Sequence, residues 1–171
     1  MKYKIILLLS VVFILSGCGV PLRSQEMAPQ FDFYDSLNVK KYKNKIYVRN
    51  AEVAKGVGGM TPVSPEEFRS ALVVAFRQAG LYSKEDNARY FLDSNMTEMK
   101  QPVIGLNLTT TTTADYKLYS KSGKIVFQDT IKIPCTRTMA DAFFADQRLR
   151  MANACSVGEN ITHLVKVLSD K

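Results

Sequence analysis

Residues 64–80 read SPEEFRSALVVAFRQAG, and this stretch predicts the helix around which the rest of the fold can be arranged. Ser64 suits the N-cap and Pro65 the first helical position, while Glu67 completes a capping box with the serine. Gly80 supplies the stop at the other end. Apolar side chains recur between them at helical spacing: Phe68, Ala71, Leu72, Ala75, Phe76 and Ala79. We therefore expect an amphipathic helix that buries one apolar stripe.

Four segments around this helix have the alternation and the β-branched composition of strands. They are residues 45–53, 90–99, 105–119 and 125–133. The last two are joined by a hairpin turn at 121–124, and Pro134 is expected to end the final strand.

The chain closes with a second helical pattern from residue 142 onward. Gly158 interrupts it at a cost of about 1 kcal/mol relative to alanine, so we expect a kink or close packing there. The element order is β-α-β-β-β-α, with one apolar stripe on each helix. Burial is easiest with both helices on one face of a mostly antiparallel four-stranded sheet. The predicted fold class is thus α/β (an α+β two-layer sandwich), whose other sheet face is polar and lined by threonines and lysines.

The N-terminus has the features of a secretory signal. Residues 1–4 contain two lysines, and residues 5–15 are apolar apart from one serine, a run too short for an ordinary membrane-spanning helix. The run ends in LSGC at 15–18, which resembles the bacterial lipobox. The resemblance implies cleavage before Cys18, a thioether-linked diacylglycerol, and usually a further acyl chain on the new amino terminus. The alternative is an ordinary secretory peptide with an accidental cysteine.

The lipobox resemblance also sets the location and the domain boundaries. Gly19 stands where an aspartate usually marks retention in the inner membrane, so in a Gram-negative source it indicates the outer membrane, with the body facing the periplasm. Residues 1–17 are then the signal peptide, 18–42 a lipidated tether, and 43–171 the α/β sandwich domain. Three aromatic residues could dock the tether: Phe31, Phe33 and Tyr34.

Two cysteines remain once Cys18 is assigned to the lipid. Cys135 and Cys155 form an even pair in an oxidising compartment, which favours a disulfide. The bond would close a loop of about 20 residues and contribute roughly 3 kcal/mol in the chain-entropy model. The alternative is two free buried thiols, because cysteine is often simply a small core residue.

Motifs for catalysis are missing from the sequence. His163 is the single histidine, so there is no second histidine for a zinc set, and no G-x-S-x-G nucleophile motif occurs. The glycines at 56–59 lie between a strand and a helix but lack the Lys-Ser/Thr ending of a phosphate loop, which favours a flexible loop. We expect no catalytic residue, no metal, no cofactor and no nucleic-acid partner.

Two surface features could bind a partner. The densest basic run is Lys40, Lys41, Lys43 and Lys45, which would either face anionic lipid near the anchor or form a solvated, charged sheet edge. The threonine run at 109–113 should place its members alternately on the two faces of a strand. Such a ladder of hydroxyls could contact a sugar or another strand, although threonine is more often simply a good strand former.

Several segments together carry a wider resemblance. They are the lipobox, the strand before Gly56, FRSAL at 68–72 running to AGL at 79–81, ARYFL at 88–92, and the closing helix. As a pattern, these segments look like the small outer-membrane lipoproteins typified by the lipopolysaccharide-assembly lipoprotein LptE and the YajG lipoproteins. The resemblance implies an α/β sandwich that binds proteins or envelope glycolipids and lacks catalysis.

The sequence therefore favours a non-enzymatic, lipid-anchored envelope protein. It would bind an outer-membrane protein or glycolipid through its sheet edge or polar face, in envelope assembly or maintenance. Two alternatives stay open: an enzyme that modifies envelope lipid or glycan, for example an acyltransferase with an unrecognised site, and a passive structural lipoprotein.

Overall fold

The computed structural model of the chain describes residues 20–29, 39–59, 61–102 and 104–170. The predicted signal peptide, Cys18 and the aromatic residues proposed to dock the tether lie outside these ranges. The helices and strands, in chain order, are α1 (Ser24–Met27), β1 (Ile46–Val53), α2 (Pro65–Gln78), a 3₁₀ turn (Glu85–Asn87), β2 (Tyr90–Lys100), β3 (Leu108–Ser120), β4 (Ile125–Arg137) and α3 (Ala145–Ser169). The predicted order β-α-β-β-β-α is present, preceded by the short helix α1.

The four strands form one sheet in the order β1-β2-β3-β4. β1 runs parallel to β2, and the other two pairs are antiparallel. Helix α2 packs on β1 and α3 packs on β3 and β4, while alternate residues of β3 are buried beneath the helices. The predicted two-layer α/β sandwich is confirmed.

Helix α2 has the N-cap and the buried apolar stripe that its sequence predicts. The Ser64 hydroxyl accepts a hydrogen bond from the backbone N–H of Glu67 at 3.2 Å, and the predicted apolar stripe is buried. The Glu67 carboxylate has a different partner from the one that a capping box would give it. It accepts a hydrogen bond from the backbone N–H of Ser24 at 2.5 Å and so connects α1 to α2.

Strand β4 is longer than predicted, because Pro134 does not end it. The strand continues to Arg137, with Pro134 opposite Thr111 of β3. β4 has a neighbour on one side only, and an edge strand tolerates a residue that lacks an N–H. The loop that follows β4 accordingly begins at Thr138.

Gly158 lies where helices α1 and α3 pack closely. Helix α3 is continuous from Ala145 to Ser169, and a Cβ at Gly158 would lie 3.1 Å from the carbonyl oxygen of Met27. The missing side chain therefore lets α1 approach α3.

The described parts of the predicted tether pack against the body. Leu22, Met27 and Tyr42 are completely buried, and the Leu22 N–H donates to the carbonyl of Pro62 at 3.0 Å. Helix α1 contacts both α2 and α3. The interpretation of 18–42 as a tether is thus wrong for residues 20–29, because the Leu22 and Met27 side chains are part of the core.

Candidate functional site

Arg150 of α3 fixes the position of the N-terminal segment. Its guanidinium donates to the carbonyls of Val20 and Pro21 at 2.7 and 2.9 Å. The same group makes two hydrogen bonds to the Glu26 carboxylate, at 2.8 and 2.6 Å. These hydrogen bonds are the main reason why the pKa of Glu26 is lowered. Val20 is therefore held beside the first turns of α3.

The end of the sheet nearest to Val20 is here called the anchor end. It is formed by the last residues of β1, β2 and β4 and by the first residues of β3 and α3. Cys18, the predicted lipidation site, precedes Val20 by two residues, which span at most about 7 Å of extended chain. If Cys18 is lipidated, its lipid starts at this end.

The basic run lies at the opposite end, here called the far end. Lys40, Lys41, Lys43 and Lys45 precede β1, and the carbonyl of Lys45 accepts from the Tyr90 N–H at the start of β2. Strand β2 then extends roughly 33 Å to the anchor end. Charges act over a Debye length of about 10 Å or less, so the idea that these lysines lie near the anchor and contact its lipid surface is not supported by their position.

The face of the sheet away from the helices, here called the open face, is polar as predicted. It carries a shallow recess of about 230 Å³. The recess is lined by Asn50, Glu52, Asp93, Ser94, Asn95, Asp115, Lys117 and Tyr119. These residues belong to β1, β2 and β3, and strand pairing places Asp93 opposite Lys117 and Asn95 opposite Asp115.

Two carboxylates of the recess have partners within the protein. Arg49 pairs with Asp93 through hydrogen bonds of 2.8 and 2.5 Å, and this pairing is the main reason why the pKa of Arg49 is raised. Asp115 accepts a hydrogen bond from the Thr130 hydroxyl at 2.6 Å. Within the described residues, the side chains of Glu52, Asn95 and Lys117 make no hydrogen bond or ion pair and remain available to a partner.

Aromatic rings border the recess at its far-end side. The Arg49 guanidinium lies 5.1 Å from the ring centroid of Tyr119 and 6.0 Å from that of Phe91. Tyr47 meets Phe91 edge to face at 6.3 Å. The three rings are partly exposed, so the open face combines hydrogen-bonding groups with flat apolar surfaces.

The size of the recess indicates which partners it can accept. Enclosed sites for small molecules usually have volumes of about 300–1,000 Å³ and surround most of the ligand. This recess is smaller and open to solvent. It suits a surface contact with a larger polar partner better than it suits an enclosed substrate.

The threonine run places side chains on both faces of β3. Thr109, Thr111 and Thr113 lie on the open face, as their alternation predicts. Thr110 and Thr112 are completely buried beneath α3, where polar side chains of the helix meet them.

These buried contacts form a polar layer, defined by Thr110, Thr112, Tyr116, Asn153, Ser156 and Asn160. The Thr110 hydroxyl donates to Asn153 Oδ1 at 2.7 Å, and the Tyr116 hydroxyl donates to Asn160 Oδ1 at 2.8 Å. Ser156 donates to the Ile133 carbonyl at 2.8 Å, and Asn153 also contacts the Thr61 hydroxyl. The layer stabilises the fold and is not accessible to a ligand. Its sequence signal is the helical spacing of residues 153, 156 and 160, on the face that the helix buries.

The predicted disulfide between Cys135 and Cys155 is present, with the two Cα atoms 5.9 Å apart. It joins the end of β4 to the middle of α3. The bond therefore holds the edge strand to the helix that covers it.

The other candidates from the sequence have structural environments that do not form a site. His163 is exposed on the outer side of α3. The glycine loop is an ordered turn: Gly58 accepts a hydrogen bond from the Gln101 side chain at 2.9 Å, and a Cβ there would lie 2.6 Å from the Thr61 carbonyl oxygen. With φ at +89°, Gly58 also requires glycine, and the flexibility of the loop stays a prediction. No group of three potential metal ligands occurs among the residues that the structure describes.

Within the described ranges, no helix has the length and apolar character needed to cross a membrane.

Comparisons with known proteins identify relatives of the fold. No family model matches the sequence, and no curated protein does so either. A solved protein of the DUF330 family from Xanthomonas campestris is 15% identical, with 75% of this chain and 81% of that chain covered and a TM-score of 0.50. A "putative lipoprotein" from Caulobacter crescentus is 16% identical, with 77% and 93% covered and a TM-score of 0.52. Identities this low show the fold alone, so the chain shares its α/β sandwich with these two Gram-negative proteins.

Proposed function

We propose that this chain is a non-enzymatic lipoprotein of the bacterial envelope that binds another envelope protein through its open face. Cys18 carries the lipid and holds the body on the outer membrane, facing the periplasm. The observation that carries the proposal is the solvent-open recess, whose unpaired Glu52, Asn95 and Lys117 side chains offer donors and acceptors beside partly exposed aromatic rings.

The anchored end leaves the open face accessible. The strands run between the anchor end and the far end, so the open face lies along the strands and does not include the point where the lipid would attach. A partner in the same membrane, or in the periplasm beside it, could reach the recess without displacing the lipid anchor.

The charge of the recess favours a protein partner over a glycolipid. Glu52, Asp93 and Asp115 carry negative charge, and only Lys117 and the paired Arg49 oppose them. The small excess of negative charge disfavours phosphate-rich glycolipids and suits neutral or basic protein groups. Binding to a glycolipid is the second candidate, because partly exposed aromatic rings beside amides also suit sugars.

The proposal is supported by three features. The lipobox resemblance supplies the anchor, the fold is shared with a protein described as a lipoprotein, and the resemblance to the LptE and YajG lipoproteins implies binding without catalysis. None of these features names the partner.

Site-specific crosslinking in cells tests the proposal. A photoreactive benzoylphenylalanine at Asn95, in the recess, should give a discrete adduct with one envelope protein after illumination. The same group at Ser70, which is exposed on α2 on the opposite side of the molecule, is the matched control and should give no such adduct. Equal adducts from both positions, or none from Asn95, would contradict the proposal, and an adduct that carries glycolipid would favour the second candidate.

The enzymatic alternative has a separate test. Cells that express the protein with His163→Ala, Glu52→Gln or Asp115→Asn should retain the wild-type phenotype, apart from any loss of partner binding that crosslinking detects. Complete loss of function in one of these variants with partner binding intact would indicate turnover.

A further inference from the structure

Large apolar side chains are exposed at the anchor end. Ile104 and Leu106 in the β2–β3 loop are 91% and 70% exposed, and Phe143 and Phe144 before α3 are 75% and 66% exposed. Met139 is 45% exposed in the same β4–α3 loop. These residues, together with Val20, are here called the apolar tip.

The members of the apolar tip come from neighbouring parts of the fold. Leu108 pairs with Arg137, so the β2–β3 loop and the β4–α3 loop leave the sheet side by side. Val20, itself 63% exposed, is bound by Arg150, less than two helical turns from Phe144. Six of the eight exposed large hydrophobic residues among those described therefore lie at this one end.

The β4–α3 loop is held in the shape that exposes its rings. Arg148 is buried and its guanidinium donates to the carbonyls of Ala142 and Phe143 at 3.0 and 2.6 Å. Asp141 accepts from both the N–H and the hydroxyl of Thr138, at 2.7 and 2.9 Å. The loop thus has fixed partners for its polar groups, and its phenylalanines point outward from a preorganised turn.

Exposed aromatic and aliphatic side chains on a well-ordered loop indicate a surface that is covered by a lipid bilayer or by another protein. The position of the N-terminal segment favours the bilayer. Cys18 lies within about 7 Å of Val20, so acyl chains on its sulfur would enter the bilayer beside the apolar tip. Aromatic side chains are favoured at the boundary between headgroups and acyl chains.

We propose that the apolar tip inserts into the bilayer that the acyl chains of Cys18 enter, and so sets the orientation of the body on the membrane. This inference rests on the lipid anchor of the proposed function. It adds that the anchor end contacts the membrane, that the open face lies roughly perpendicular to the membrane plane, and that the far end points into the periplasm.

The absence of tryptophan from the chain gives a clean test. Phe143→Trp places a single tryptophan in the apolar tip, and Ser122→Trp places one in the far-end turn as the matched control; excitation at the red edge of the tryptophan band avoids the tyrosines. Each lipidated protein is purified from membranes and reconstituted in vesicles of phosphatidylethanolamine and phosphatidylglycerol. For Phe143→Trp we expect a blue-shifted emission, quenching by brominated lipid, and severalfold weaker quenching by acrylamide than for Ser122→Trp. Equal aqueous quenching of the two reporters would overturn the proposal.

Two further variants separate insertion from the anchor. Adding Cys18→Ala to each reporter tests the lipid: if the parent reporters carry no acyl mass that these Cys18→Ala proteins lack, the proposed anchor is wrong, whatever the fluorescence shows. Leu106→Trp combined with Phe143→Ser and Phe144→Ser should stay anchored with an unchanged melting temperature, because all three positions are exposed. Compared with Leu106→Trp alone, this variant should lose most of its protection from quenching by acrylamide.

Protection of Phe143→Trp in native membranes but not in pure lipid vesicles would mean that a protein covers the tip, and would also overturn the proposal.

Discussion

Asn160 shows how single polar residues determine the packing of this sandwich. Its side-chain amide accepts from the buried Tyr116 hydroxyl and donates to the carbonyls of Thr112 and Ile131 at 3.2 and 2.8 Å. Burial also raises the pKa of Tyr116, so the hydroxyl stays protonated and acts as the donor. One side chain thus satisfies polar groups on two strands, which fixes where α3 sits on the sheet.

Asn160→Ala should lower the free energy of unfolding by about 3 kcal/mol, because the Tyr116 hydroxyl would stay buried without an acceptor. Denaturant titration followed by circular dichroism measures the loss. Glu159→Ala, at the exposed neighbouring position of α3, is the control and should change the value by less than about 0.5 kcal/mol. Similar losses in both variants would contradict the role assigned to the buried layer.

Glu26 makes the docking of the N-terminal segment sensitive to acid. Its pKa in the docked state is lowered, chiefly by the hydrogen bond from Arg150. The stabilisation is therefore fully present above the undocked pKa near 4.5 and is lost as the pH falls through the lowered docked value. Hydrogen-exchange protection of residues 22–27 should stay constant from neutral pH to about pH 5 and decrease below it. Glu26→Gln should give weaker protection without this pH dependence; an unchanged profile would contradict the assignment.

At the scale of elements, hydrophobic alternation and caps predicted the sheet, the two long helices and their order. The sequence did not predict β4 past Pro134, because a proline is excluded from central strands but not from an edge, and strand order is a tertiary property. It also missed the docking of α1, whose four residues carry no periodicity. The apolar stripe of α3 does not predict the partners of Thr110 and Thr112, because these partners are the polar residues Asn153 and Ser156.

The disulfide between β4 and α3 should contribute about 3 kcal/mol. Replacing both Cys135 and Cys155 with alanine should lower the melting temperature by about 10 °C for a domain of this size. Calorimetry of the oxidised protein with and without dithiothreitol measures the same step, and the reductant should leave the double variant unaffected. A melting temperature of the wild-type chain that ignores the reductant would contradict this contribution.

At the scale of the whole molecule, the fold separates groups that are close in sequence. Only about twenty residues lie between Cys18 and the basic run, which left a shared lipid surface open as one of two interpretations, yet the sheet places the lysines at the far end. The recess could likewise not be predicted, because its residues come from three strands and meet only through the register of the sheet.

Reversing the charge of Lys40, Lys41 and Lys43 to glutamate should therefore leave membrane attachment unchanged. The groups lie several Debye lengths from the anchor end, so their electrostatic contribution to lipid binding is negligible. Flotation of lipidated protein with vesicles rich in phosphatidylglycerol, at low and high salt, measures the attachment. Weaker flotation of the variant at low salt would show that the far end contacts lipid.

The lipid on Cys18 is the claim on which the orientation and the proposed function depend. Mass spectrometry of the N-terminal tryptic peptide, from protein purified out of the membrane fraction, tests it directly. We predict a peptide of residues 18–23 that starts at Cys18 and carries the mass of a diacylglycerol and one further acyl chain. A peptide that retains the leader, or an unmodified cysteine at position 18, would contradict the account.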